Sequence, residues 1–81
     1  MRVRVLYFAS FRDAAGRREE TREMPSGSRV SDLWDVLSRE IPYLARFPAA
    51  PLAAVNRAYV EVGTVLVEGD EVAFLPPVAG G

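Results

Sequence analysis

The chain has 81 residues, 49% of them hydrophobic and 26% charged, which is the balance of one small folded domain rather than a disordered segment. Its formal net charge of −1 and the absence of any apolar run of spanning length give no reason to expect nucleic-acid or membrane partners. It contains no Cys and no His, and all ten basic residues are Arg, so it lacks a thiolate nucleophile, the usual general base, the commonest transition-metal ligand and a Schiff-base amine.

From the N-terminus, Val3, Val5 and Tyr7 alternate with Arg2, Arg4, Leu6 and Phe8, the period-two pattern of a strand. Val3, Val5 and Tyr7 form its inward set. Leu6 and Phe8 then face outward, where polar residues would be expected. Met1-Arg2-Val3-Arg4 leads directly into this strand without a signal-peptide pattern, so a cytoplasmic protein is expected. Ser10 to Gly16 reads as a short helical turn stopped by Gly16, and Thr21 to Met24 as a second strand closed by Pro25-Ser26-Gly27.

Val30, Leu33, Trp34, Leu37 and Ile41 fall on one face of a 3.6-residue repeat, which predicts a helix from about Arg29 to Ile41. Ser28 or Ser31 is the candidate cap and Pro42 the stop. Residues 43–51 read as an irregular link. Leu52 to Val55 reads as a buried strand, Asn56-Arg57 as a turn and Ala58 to Val62 as a short strand. Thr64 to Glu68 connects to a Gly69-Asp70 turn, and Glu71 to Leu75 is the last strand, with Val72 and Phe74 inward and Ala73 and Leu75 outward. The paired carboxylates Glu19-Glu20 and Asp70-Glu71 fall at expected turns and read as solvated surface charges. The order β–β–α–β–β–β, with the first and last strands parallel at the centre of a mixed sheet and one main helix across one face, is an α+β architecture, the ubiquitin-like β-grasp. Residues 1–76 make the domain and 77–81 an extended tail.

One helix covers one face of a single sheet. Leu6, Phe8, Tyr59 and Leu75 therefore form an exposed apolar patch on the other face, unless loop 43–51 covers them or the strand phase is off by one. The chain ends Pro76-Pro77-Val78-Ala79-Gly80-Gly81. Proline ends the sheet ladder and directs the exit, and a tail from Pro77 to Gly81 reaches about 16 Å at roughly 3.3 Å per residue. Without a Cβ at its end it fits a narrow site on another protein; the alternative is a frayed terminus.

Over essentially its whole length the sequence resembles the MoaD-type sulfur carriers, the small subunits of molybdopterin synthase. The residues that carry the resemblance are Val5-Leu6-Tyr7-Phe8-Ala9, Leu52-Ala53-Ala54-Val55-Asn56, Gly69-Asp70-Glu71-Val72-Ala73-Phe74 and the Pro76–Gly81 ending. Leu75 departs from the aromatic that the family often has there, and Ala79 fills a variable position.

The resemblance implies a protein worked on at one atom, with no catalytic residues, no bound cofactor and no metal of its own. A ubiquitin-activating-type adenylating enzyme (MoeB-like) would use ATP to adenylate Gly81, and sulfur would replace AMP to leave a C-terminal thiocarboxylate. The carrier would then dock on the large synthase subunit (MoaE-like), in what the family suggests is a heterotetramer. There it would donate sulfur to cyclic pyranopterin monophosphate, forming the molybdopterin dithiolene. Gly81 is the expected reactive group and Gly80 the steric requirement beside it. Pro76, Pro77, Val78 and Ala79 would enter the partner's channel, and Phe8, Leu75, Tyr59 and Leu6 would anchor the interface. Arg12 reads either as a partner of an acidic residue or as an ordinary solvated arginine. Other readings are a sulfur carrier for thiamine or tRNA thiolation, a ubiquitin-like protein modifier, and a pure binding module.

Overall fold

Alternation in the first strand decides which side of the sheet becomes the core. The computed structural model describes residues 1–47 and 51–77. In it, strand β1 (Arg2–Tyr7) buries Val3, Val5 and Tyr7 and leaves Arg2 and Arg4 exposed. It is followed by α1 (Ala9–Ala15), β2 (Glu19–Glu23), α2 (Val30–Glu40), a 3-10 turn (Pro42–Arg46), β3 (Leu52–Val55), β4 (Ala58–Val60) and β5 (Glu71–Leu75). The strands form one sheet in the order β2-β1-β5-β3-β4, with β1 and β5 parallel and the other pairs antiparallel. This is the β-grasp arrangement expected from the sequence, with the parallel pair at the centre.

Helix α2 presents Val30, Leu33, Trp34 and Leu37 to the sheet, and all four are buried. Trp34 lies between Phe74 on β5 (ring centroids 4.9 Å apart) and Phe11 on α1 (5.4 Å). Burial of these side chains, each contributing about 1.5–3 kcal/mol, is the main force holding helix to sheet. The helix is not capped by Ser28 or Ser31. The Asp32 carboxylate accepts the Arg29 N–H at 2.8 Å, while the Ser28 hydroxyl donates to the Pro25 carbonyl at 2.6 Å. An acidic side chain at the third helical position is well placed for this, because it answers an unpaired N–H and the positive helix end together.

Elsewhere the structure moves several boundaries. The sequence places the second strand at Thr21–Met24; the structure draws it back to Glu19–Glu23, because pairing with β1 sets Glu19 opposite Leu6 and Glu23 opposite Arg2. Glu19 and Glu20 are thus strand residues rather than turn residues. The link after α2 is not wholly irregular: Pro42–Arg46 forms a 3-10 turn, with Pro at its start. The fourth strand ends at Val60 rather than Val62. Leu52 is half exposed rather than buried, because its register puts it on the uncovered side opposite Leu75.

Asp70 is the largest departure among the charges, being only 8% exposed. Its carboxylate accepts the Asn56 side-chain amide at 3.0 Å and the Val67 N–H at 2.9 Å. The Asn56 side-chain oxygen in turn accepts the Glu71 N–H at 3.0 Å. Together these bonds clamp the β3–β4 turn to the start of β5. Among the described residues, no helix is long and apolar enough to cross a membrane.

Leu37→Ala, which removes a fully buried side chain, is expected to cost about 2–5 kcal/mol in denaturant unfolding. Asp70→Ala strips two donors of their partner and is expected to cost about 1–3 kcal/mol. A loss of no more than a few tenths in the second case would mean that the clamp is dispensable.

Candidate functional site

Parity places every outward side chain of β1, β3, β4 and β5 on the face that α2 does not touch. One cross-strand row runs from Glu19 through Leu6, Ala73 and Ala54 to Tyr59. Two small alanines at its middle leave a trough between larger walls. Leu6, Phe8 and Leu75 stand on one side and Tyr59 on the other, enclosing a groove of about 480 Å³. Phe8 is 45% exposed and Tyr59 71%. The four residues singled out from the strand phase therefore do share one groove. Among the described residues of the link after α2, Tyr43 and Phe47 pack edge-on against Phe11 on the core side, and none lines the groove.

The direction of Phe8 is set by a sharp break between strand and helix. Phe8 is still extended, with φ −123° and ψ 151°, whereas Ala9 has a left-handed φ of 49°. That reversal starts α1 and sends Phe11 into the core while Phe8 stays outside. Gly16, at φ 74°, closes α1 where a side chain would be strained.

Tyr7, between the outward Leu6 and Phe8, anchors the strand from behind. Its hydroxyl donates to Glu20 at 2.6 Å, and Arg22 joins Glu20 (3.1 Å) to Glu40 at the end of α2. Burial, the hydrogen bond to Glu20 and that residue's negative charge push the Tyr7 phenol well above the usual tyrosine range. The hydrogen bonds from Arg22 hold the Glu40 carboxyl below the usual carboxylate range. Glu20 is thus structural and does not stand ready for acid–base chemistry. Among the described residues, no group of three or more His, Cys, Asp or Glu side chains is placed to hold a metal ion.

The lining of the trough reaches Leu75. Leu75 is the last residue of β5, and Pro76 and Pro77 are the last described residues; Val78, Ala79, Gly80 and Gly81 lie outside them. Arg12 lies in an adjoining cleft of about 460 Å³ with Arg18, Leu6, Phe8 and Glu19. Sequence reasoning missed Leu52, Ala54, Arg18 and Arg57 as residues of this face or its rim. Ala54 was within reach: once Leu75 faces outward, antiparallel pairing sends the alternate residues of β3 outward as well.

The model of the ThiS family matches residues 5–81. The chain belongs to this family. It is 42% identical to the molybdopterin synthase sulfur carrier subunit of Mycobacterium tuberculosis, over 100% of this chain and 99% of that one. Among solved structures, it resembles a protein from Pyrococcus furiosus described as a candidate subunit 1 of molybdopterin converting factor, with TM-score 0.79 and 35% identity over 96% and 99% of the two chains. It also shares its fold with a chain in the complex of subunits 1 and 2 of the molybdopterin-converting factor from Helicobacter pylori. That match has a TM-score of 0.68 and 23% identity and covers 100% of both chains.

Two outcomes follow for this face. Phe8→Asp should leave the melting temperature nearly unchanged, because Phe8 is half exposed and sits at the N-cap of α1, a position that favours Asp. Tyr7→Phe tests the strand anchor by pH. A phenol whose folded pKa is raised contributes stability that is complete below about pH 10 and declines as pH climbs beyond it. Alkaline unfolding curves should therefore show wild type losing stability above about pH 10 and Tyr7→Phe losing less; identical curves would contradict the buried, neutral phenol.

Proposed function

We propose that the chain is the sulfur carrier subunit of a molybdopterin synthase and that the carboxylate of Gly81 is the atom group that carries the sulfur. The observation that supports this best is an exposed apolar trough whose lining includes Leu75, the residue from which Pro76 and Pro77 lead in sequence to a tail ending in two glycines. Family membership and the 42% identical carrier subunit support the same reading. In this account the trough docks on a partner while the tail, free of branched side chains at its end, reaches into that partner's active site.

A carboxylate is a poor electrophile, so the first step needs activation. In a MoeB-like adenylating enzyme, a Gly81 carboxylate oxygen attacks the α-phosphorus of ATP and pyrophosphate leaves. A hydrosulfide-level nucleophile then attacks the acyl carbon and AMP leaves, giving the thiocarboxylate. The carrier itself supplies no side-chain thiol, imidazole or amine that would intercept the activated terminus. On the MoaE-like large subunit, the thiocarboxylate sulfur bonds to a carbon of cyclic pyranopterin monophosphate as a C–O bond at that carbon breaks, the oxygen leaving as water or with the opened phosphate ester. Water cleaves the acyl–sulfur bond and returns Gly81 as a carboxylate. The dithiolene holds two sulfurs, so each product consumes two charged carriers. A cytoplasmic setting and a heterotetramer, with one carrier at each end of a large-subunit dimer, are part of this proposal.

Reconstitution tests it. Thiocarboxylated carrier, mixed with the large synthase subunit of the same organism and cyclic pyranopterin monophosphate, is expected to yield molybdopterin. Removing Gly81, or replacing Gly80 by Val, should abolish the product while leaving the melting temperature unchanged, because the tail adds little to the core. Absence of product with an active large subunit would favour thiamine or tRNA thiolation. Higher-mass conjugates dependent on Gly81 would favour a protein modifier.

A further inference from the structure

The outer face carries a charge that the chain as a whole does not. Its two adjoining clefts are lined by four arginines (Arg4, Arg12, Arg18 and Arg57) against two glutamates (Glu19 and Glu71), on a protein of formal net charge −1. Both glutamates are already engaged, since the Arg4 guanidinium lies 2.8 Å from Glu71 and 3.5 Å from Glu19. Among the described residues, Arg12, Arg18 and Arg57 take part in none of the ion pairs that hold Arg2, Arg4, Arg17 and Arg22. Three cations without an ion pair among the described residues therefore line the two adjoining clefts, Arg12 and Arg18 with Phe8 in one and Arg57 with Tyr59 in the trough.

Arg57 carries a second sign of purpose. It occupies the β3–β4 turn at φ 73°, directly after Asn56 at φ 51°. A hairpin turn with two left-handed residues favours Asn followed by Gly, because a side chain in that conformation is strained. Arginine is not there for the backbone. Its side chain lines the trough, so the strained position coincides with a cation that, among the described residues, has no ion-pair partner.

We propose that these arginines form a cationic collar that selects a partner presenting carboxylates around an apolar socket, and that Arg18 and Arg57 set which large subunit this carrier docks on. The proposal rests on the docking reading above and adds the chemistry of the partner's rim. Apolar contact holds the complex; the collar steers the approach and fixes its orientation, as rim charges do by accelerating association and penalising like-charged surfaces. An acidic protein surface fits better than nucleic acid, because the centre of this face is aliphatic and aromatic rather than polar.

The test measures association with the large synthase subunit of the same organism, from about 10 mM to about 100 mM salt, over which the screening length falls from about 30 to about 10 Å. Wild type should associate more slowly as salt rises. The double variant Arg18→Glu/Arg57→Glu should associate about tenfold more slowly at low salt and lose most of the salt dependence. Arg57→Gly should weaken binding without lowering the melting temperature, an outcome that a purely structural arginine would not give. If the double variant associates as wild type does while Phe8→Asp no longer binds, the collar is overturned and the docking reading stands. If Phe8→Asp binds normally, the docking reading fails and the collar with it. Binding of a single-stranded RNA probe that depends on Arg18 and Arg57 would assign the collar to nucleic acid and overturn the inference.

Discussion

A five-stranded sheet has two faces, and the helices of this chain cover one of them. Val3, Val5, Tyr7, Val72 and Phe74 meet Trp34, Leu33 and Leu37 on the covered side. Strict alternation then leaves Leu6, Ala73, Leu75 and Tyr59 on the face that the helices do not cover, the first three partly buried and Tyr59 exposed. The exposed apolar trough is therefore a direct consequence of the parity that builds the core. A one-residue slip in β1 would bury Leu6 and expose Val5, so the core and the trough stand or fall together.

Two polar clamps hold that parity in place from opposite ends of the sheet. The chain of contacts from Tyr7 through Glu20 and Arg22 to Glu40 ties β1 and β2 to the end of α2. The Asp70–Asn56 pair ties the β3–β4 turn to the start of β5. Both use side chains that look like surface charges in the sequence, and both spend their hydrogen-bonding capacity on structure. In the proposed function the chemistry falls instead to the terminal carboxylate, acted on by partner enzymes. That proposal divides the work between a face that would recognise a partner and a terminus that would react on it.

Much of this was legible in the sequence, and the reasons are local. The 3.6-residue spacing of Val30, Leu33, Trp34 and Leu37 fixed α2 within a residue, and the alternation in β1 fixed which of its residues face outward. Asn56-Arg57 announced its turn by composition. What the sequence concealed depends on pairing across the chain. Register with β1 drew β2 back to Glu19, and partnership with Asn56 buried Asp70. Leu52 reads as core by composition but is turned outward by its pairing with Leu75. Arg18 and Arg57 were invisible as a pair, because only the folded sheet brings the loop after α1 and the β3–β4 hairpin to adjoining clefts on one face. The resemblance to sulfur carriers supplied the roles of Gly80 and Gly81, which no spacing argument reaches.

The central claim is that the Gly81 carboxylate is converted to a thiocarboxylate by a separate activating enzyme. Intact-mass spectrometry of the carrier, after incubation with ATP, a MoeB-like adenylating enzyme and a sulfur source, tests it most directly. The account predicts the mass increase of one oxygen replaced by sulfur, localised to Gly81 by fragmentation and absent when Gly81 is deleted. An unchanged mass for folded carrier, with an enzyme shown to be active on another substrate, would contradict it.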